Sequence, residues 1–178
     1  MKNEVKKALN SSVEDKRRNI IENKQISNLS NIVKDIAVRF PSVNFDLTRI
    51  YPNTKTEDYV VKRNGVLIRR HEDKTYNKIY DSRLFDAVLD IEHSDGTYMR
   101  IFFILKGCEN AGGTQDMASI EVGRYTDNIQ KCDENNVHFI FILDGEHINS
   151  KSNMIDVSKK YDIATSDNVK QFIEKFVI

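Results

Sequence analysis

The stretch Phe85–Lys106, FDAVLDIE (85–92), HSDGT (93–97) and YMRIFFILK (98–106), decides how the chain is read. Phe85–Glu92 has the apolar content of a strand. The Asp95-Gly96 pair marks a tight turn, and Tyr98–Lys106 reads as the returning strand of a hairpin. Apolar residues occupy both faces of that second strand, as expected of a central strand covered on both sides.

Working outward, Gly107–Gly113 (GCENAGG) is a permissive loop. The segment from about Gln115 to Lys131 then carries Ala118, Val122, Tyr125 and Ile129 on one helical face. Val137–Leu143 (VHFIFIL) predicts another buried strand, closed by Asp144-Gly145. A helix is expected near Ser150–Lys160, a short strand around Tyr161–Ala164, and a last helix after Thr165, Ser166 and Asp167, each able to cap it. The order from Phe85 is therefore β-β-α-β-α-β-α. Upstream, residues 1–13 are polar and expected to fray. Apolar positions from Ser12 to Phe40 recur at helical spacing, and the Asn and Ser residues between Asn23 and Asn31 predict two helices or a kinked one. Pro41 ends it. VNFDLTRIY and DYVV-KRNG-VLIRR predict short strands, the latter pair turning at Asn64-Gly65.

The chain has 178 residues, with 27 Lys and Arg balancing 27 Asp and Glu. That length makes one domain, with residues 1–82 as an N-terminal helical and strand segment and 83–178 as the core. The charge balance excludes a purely electrostatic nucleic-acid coat or a polybasic membrane binder, but not a local basic patch. Two cysteines, Cys108 and Cys132, exclude a disulfide scaffold and a four-cysteine zinc site, and both read as reduced structural thiols. The four histidines are not spaced as zinc-finger ligands. Neither a P-loop nor a dinucleotide-binding glycine pattern occurs. With no apolar run of membrane-spanning length and no signal-peptide core, a cytoplasmic protein without membrane contact is expected.

Three residues form the constellation that could do chemistry. Asp86 opens the first strand of the hairpin and Lys106 closes the second, so antiparallel pairing brings these two ends together. Lys106 shares a face with Ile104 and Phe102; it either snorkels to the rim of the sheet or serves a site. Glu121 borders the apolar face of the next helix. It either pairs with a nearby cation such as Arg124 or points at the Asp86 end of the sheet. In the second case Asp86 and Glu121 make an oxygen-rich pocket suited to Mg²⁺. Lys106 would then bind a scissile phosphate or orient water, the arrangement of metal-assisted phosphodiester hydrolysis. Residues 55–78 are locally basic, with Arg69 and Arg70 among interleaved tyrosines. That mixture reads either as a solvated surface or as a phosphate-contacting one. Arg124 and Tyr125 either touch a DNA backbone or pack and pair.

An Asp at one end of a hairpin and x-x-Lys at the other resembles the PD-(D/E)XK restriction-endonuclease superfamily. LKGCENAGGTQDMASIEVGRYTDN (105–128) is similar to the segment after the catalytic lysine in FokI-type cleavage domains. FIFILDG (139–145) and YDIATSDN (161–168) are similar in layout to those domains and to DpnII-type endonucleases. The resemblance covers roughly residues 83–176. It implies a restriction-endonuclease-like α/β core, a central mixed sheet flanked by helices. It also implies Mg²⁺-dependent cleavage of double-stranded DNA and a homodimer or a partner subunit. One position departs from the pattern: Ile104 stands where the superfamily usually has Asp or Glu. Either the acid has moved to the following helix, to Glu121, or the chain is a catalytically inactive DNA-binding or partner subunit.

Overall fold

The structure is a computed structural model that describes residues 2–51, 57–77, 79–107, 123, 125–144 and 160–178, with the side chains of the first helix described from Ile20 onward. Helix α1 (Lys2–Arg39) is followed by β1 (Val43–Arg49), the short strands β2 (Tyr59–Val61) and β3 (Leu67–Arg69), the hairpin β4 (Ala87–His93) and β5 (Tyr98–Gly107), then β6 (Val137–Asp144), β7 (Tyr161–Ala164) and α2 (Val169–Glu174). Five strands form one sheet in the order β1-β4-β5-β6-β7, and β2 and β3 pair separately. β1, β4 and β5 run antiparallel to their neighbours, whereas β5, β6 and β7 run parallel. The architecture is α/β with a mixed sheet, as the element order predicts.

β5 changes the sheet from antiparallel to parallel, and both its faces are buried. Ile101, Phe103 and Leu105 join Leu89, Ile91, Ile140 and Ile142 beneath Leu29, Val33 and Ile36 of α1 and Val169 and Ile173 of α2. On the other face, Phe102 and Ile104 join Val88, Phe139 and Phe141 against Val61, Tyr125 and Ile129. The Phe102 ring lies 4.8 Å from Phe85 and 5.8 Å from Phe139, centroid to centroid. This two-sided burial explains why the strand carries apolar residues without alternation.

Two expectations for the first helix are corrected. α1 is a single element through the Asn- and Ser-containing stretch, and its backbone is helical from Lys2. Packing of Leu29, Val33 and Ile36 outweighs the small propensity cost of those polar residues, and Asn28 gains a tertiary partner by donating to the Ser166 carbonyl at 2.9 Å. The helix stops where Pro41 demands it, its last bond running from the Phe40 N–H to the Ile36 carbonyl. At α2 the cap position falls to Asn168, not to the three residues before it. Gly107, expected to open a loop, is instead the last residue of β5; the rest of that loop (108–113), residues 115–122 and 124 of the expected helix, and 150–159 of the next expected helix lie outside the described residues, and positions 125–129 are helical.

The hairpin β2–β3 turns at Asn64-Gly65, as predicted, with Gly65 at φ +88°. The following loop is held by the Lys62 ammonium, which reaches Asp73 Oδ2 at 2.6 Å, Asp81 Oδ2 at 2.9 Å and the Thr75 carbonyl at 3.1 Å. No helix among the described residues is long and apolar enough to cross a membrane.

Candidate functional site

The last Cα partners of the β4–β5 ladder are Ala87 and Phe103, so Leu105 extends past the end of β4. Its N–H is completed by a side chain: Asp86 Oδ2 accepts from it at 2.8 Å. The Asp86 carboxylate is thereby fixed beside the backbone that leads into Lys106. Antiparallel pairing brings these two chain ends together, as the sequence implies. The other carboxylate oxygen, Oδ1, accepts from Arg83 Nη2 at 2.5 Å. Both side chains are partly open to solvent, Arg83 at 30% and Asp86 at 17%.

Lys106 lies opposite Leu143 in the parallel β5–β6 ladder, and its carbonyl accepts from Gln25 Nε2 at 3.2 Å. Gln25 also donates to Asp144 Oδ2 at 2.7 Å, while Asp144 accepts from the Ser166 N–H at 2.8 Å and its hydroxyl at 2.5 Å. Gln25, Asp144 and Ser166 thus tie α1 and the start of α2 to the C-terminal ends of β5 and β6. Gln25 is 3% exposed, and its Oε1 is buried without a hydrogen-bond partner.

Sequence reasoning missed Gln25, Arg83, Asp144 and Ser166. One signal existed for Gln25: it interrupts the apolar i, i+4 row Ile21, Leu29, Val33. Arg83 precedes Asp86 by three residues in an irregular segment, where no periodicity foretells the pairing.

Ile104 is 1% exposed and packs among Phe102, Phe139 and Phe141, so the position that departs from the superfamily pattern is a core residue. Glu121 and Arg124 lie outside the described residues, as does Cys108. Tyr125 is 1% exposed, which places its side chain in the core, on the packing side of its two alternatives. Cys132 is buried, and burial pushes its thiol up from the ordinary value, in keeping with a structural role.

Arg69 and Arg70 lie at the end of β3. Arg69 donates from Nε to the Tyr59 hydroxyl at 3.2 Å and sits over the Tyr59 ring. The exposed Arg70 sits 5.0 Å over Tyr76, and Arg63 5.3 Å over Tyr80. The tyrosines interleaved with arginines in the sequence therefore become paired platforms. Tyr59 packs 5.5 Å from Phe102, so this module covers the sheet face that carries Phe102 and Ile104. His71 beside it is held by Asp58, at 2.6 Å from Nδ1 to Oδ1.

Asp90 lies farther along β4, near the turn. Arg100 grips it with two bonds of 2.7 and 2.8 Å, and Tyr98 donates to it as well. Burial opposes ionisation of Asp90, but Arg100 and Tyr98 outweigh it and hold the carboxyl below its ordinary value. The Tyr98 hydroxyl is pushed up to about 12, first by burial and then by Asp90.

Among the described residues no three His, Cys, Asp or Glu side chains group as a metal site requires. Asp86 offers one carboxylate, already engaged at both oxygens, and Ile104 offers none. These residues alone do not fit a hard divalent cation, which takes six or more oxygens, and a Mg²⁺ site here depends on Glu121. No family model, curated protein or solved structure matches the chain.

Proposed function

We propose that the chain is an endonuclease of the type II restriction kind, built on a PD-(D/E)XK-like core and acting on double-stranded DNA with Mg²⁺. The observation that carries this reading is the hydrogen bond from the Leu105 N–H to Asp86 Oδ2, 2.8 Å long. It holds a carboxylate against the backbone of the residue before Lys106, at one end of a buried hairpin. The element order supports it too: a helix, a strand, the hairpin, a helical segment and a strand parallel to the hairpin's second member. So does the position of the edge, since ligands of open α/β sheets bind beyond the carboxyl ends of parallel strands.

In this reading Asp86 and Glu121 hold Mg²⁺ and Lys106 binds the scissile phosphate as a point charge. When bound, the metal supplies water activation and neutralisation of developing charge. Arg69, Arg70 and Arg124 contact the DNA backbone, which positions the duplex without reading its sequence. One such site cuts one strand, so double-strand cleavage calls for a homodimer or a partner subunit. A cytoplasmic location belongs to the same proposal.

A second reading, an inactive DNA-binding or partner subunit with the same fold, is favoured by one observation: Ile104 is sealed in the core and supplies no ligand. Incubation with mixed-sequence duplex DNA, with Mg²⁺ or EDTA, separates the two when Asp86→Ala is run alongside. Discrete metal-dependent fragments that vanish in the variant support the nuclease. Retained DNA binding with no cutting across several DNAs and metals supports the inactive subunit.

A further inference from the structure

The module from Asp58 to Asp81 mixes charges in sequence, but the fold sorts them. Asp58, Asp73 and Asp81 turn inward, their side chains 7%, 9% and 4% exposed. Asp58 is engaged by the ring and the N–H of His71, and Asp73 by Lys62 and Thr75. Asp81 is engaged by Lys62 and by the N–H groups of Arg63 and Asn77. Glu72 stays outside, 3.7 Å from both Arg69 and His71. Arg63, Arg70 and Lys74 face solvent. Among the described residues neither the Arg63 nor the Arg70 guanidinium has a carboxylate partner. Each lies instead over a ring, Arg63 at 5.3 Å from Tyr80 and Arg70 at 5.0 Å from Tyr76. A ring beneath the flat face steadies the guanidinium and leaves its edge donors outward, in the geometry that suits a phosphate.

Arg63 stands at the hairpin tip. Arg70 stands at the open end, where its N–H donates to the Asp58 carbonyl at 2.8 Å. The strand from Asp58 to Lys62 is roughly 13 Å long at ~3.3 Å per residue. That length is close to the width of a B-DNA major groove, about 12 Å. We propose that this outward face is a phosphate-binding surface that seats the backbone of duplex DNA, with Arg63 and Arg70 reaching phosphates on the two walls of one groove and Lys74 adding charge. The inference deepens the reading of Arg70 as a backbone contact and rests on the proposal that the chain acts on duplex DNA; Arg63 is a contact that reading does not contain. One face of each tyrosine ring is taken by its arginine, so the surface holds phosphates and positions the duplex without stacking on its bases.

The test is fluorescence anisotropy of the full chain with a labelled mixed-sequence duplex in EDTA, over a series of KCl concentrations. Wild type, Arg63→Gln, Arg70→Gln, the double variant and Lys34→Gln are compared, and circular dichroism melts establish that each folds. Lys34 is exposed on α1, which covers the other face of the sheet, so its variant removes the same charge elsewhere. Each arginine variant is expected to lower the slope of log affinity against log salt by about 0.9, and the double variant by about 1.8. Lys34→Gln should keep the wild-type slope. A slope unmoved in the double variant, an equal fall in Lys34→Gln, or no duplex binding by the wild type overturns the surface. Arginine-dependent binding to phosphatidylserine vesicles without duplex binding overturns it too, and assigns the face to a membrane. Cleavage with Mg²⁺, measured in parallel, separates this from the nuclease reading. Cutting by a wild type whose slope is unmoved in the double variant sinks the surface alone. Lowered slopes with no cutting by any form sustain the surface and remove the nuclease.

Discussion

Gly65 meets Lys131 so closely that a β-carbon on the glycine would lie 2.3 Å from the Lys131 carbonyl oxygen. The tip of the β2–β3 hairpin is thus seated against the chain just after residues 125–129, and Lys131 Nζ returns a bond of 3.3 Å to the Arg63 carbonyl. Gly96 shares the positive φ, at +84°, but has open space around it. Gly96→Ala should therefore cost only the left-handed backbone strain, about 1 kcal/mol. Gly65→Ala should cost about 3 kcal/mol, because backbone must also shift. Urea unfolding of the two variants checks the difference, and equal costs would mean that the hairpin tip is not seated on Lys131.

Gly107 offers a complementary case. A β-carbon there would sit 2.3 Å from Ile21 Cγ2 and 3.0 Å from its Cβ, with no unusual φ to consider. Gly107→Ala is expected to destabilise by about 2 kcal/mol through overpacking. Ile21→Ala in the same chain should recover part of that loss, so a double-mutant cycle gives a favourable coupling. Additive losses would show that α1 does not approach β5 at this point.

Gln25→Leu removes the donor shared by Asp144 and the Lys106 carbonyl, for an expected loss of about 2 kcal/mol at neutral pH. Gln25→Glu should lose more, since it sets a carboxylate against Asp144. Denaturant unfolding ranks the two, and the reverse order would contradict the contact.

How much of this was legible in the sequence depends on the range of the interaction. The β4–β5 hairpin was readable because the strand residues and the Asp95-Gly96 turn are neighbours in the chain. The Asn64-Gly65 turn was readable for the same reason. The continuity of α1 was not, because it is decided by Leu29, Val33 and Ile36 meeting strands more than fifty residues away. That the chain ends carrying Asp86 and Lys106 lie at the same end of the hairpin followed from antiparallel geometry. The hold of Arg83 on Asp86 did not, because it rests on one rotamer in an irregular segment. Tyr125 stood on the apolar face of the expected helix, and its burial in the same core cluster as Ile129 and Phe141 agrees with that spacing.

Asp90 gives the stability a pH signature. Its folded carboxyl titrates below the ordinary value of 3.8, so its contribution is complete above that value and lost as pH falls through the lowered one. Asp90→Asn should cost about 1–2 kcal/mol at pH 7, an amount moderated by partial exposure. The gap between variant and wild type should narrow as the pH falls below 3.8 and through the lowered value. Urea midpoints across that range are the check; a gap that persists in acid would assign the loss to packing.

For DNA binding, Arg70→Ala should weaken duplex affinity equally for unrelated sequences. It should also reduce the slope of log affinity against log salt by about 0.9, the value for one phosphate contact. Fluorescence anisotropy at several salt concentrations measures both quantities. An unchanged slope would leave the arginine–tyrosine module as a solvated surface.

The place of β5 also shapes how the protein is made. Its antiparallel partner β4 precedes it by a four-residue turn, but its parallel partner β6 begins at Val137, thirty residues after Gly107. During synthesis, at about 5–20 residues per second, the hairpin can close seconds before β6 leaves the ribosome. Over that interval Phe102 and Ile104 lack the cover of Phe139 and Phe141, and the far edge of β5 is unpaired. The nascent chain thus presents a sticky, half-built sheet, and expression yield should depend on chaperone supply more than the finished fold suggests.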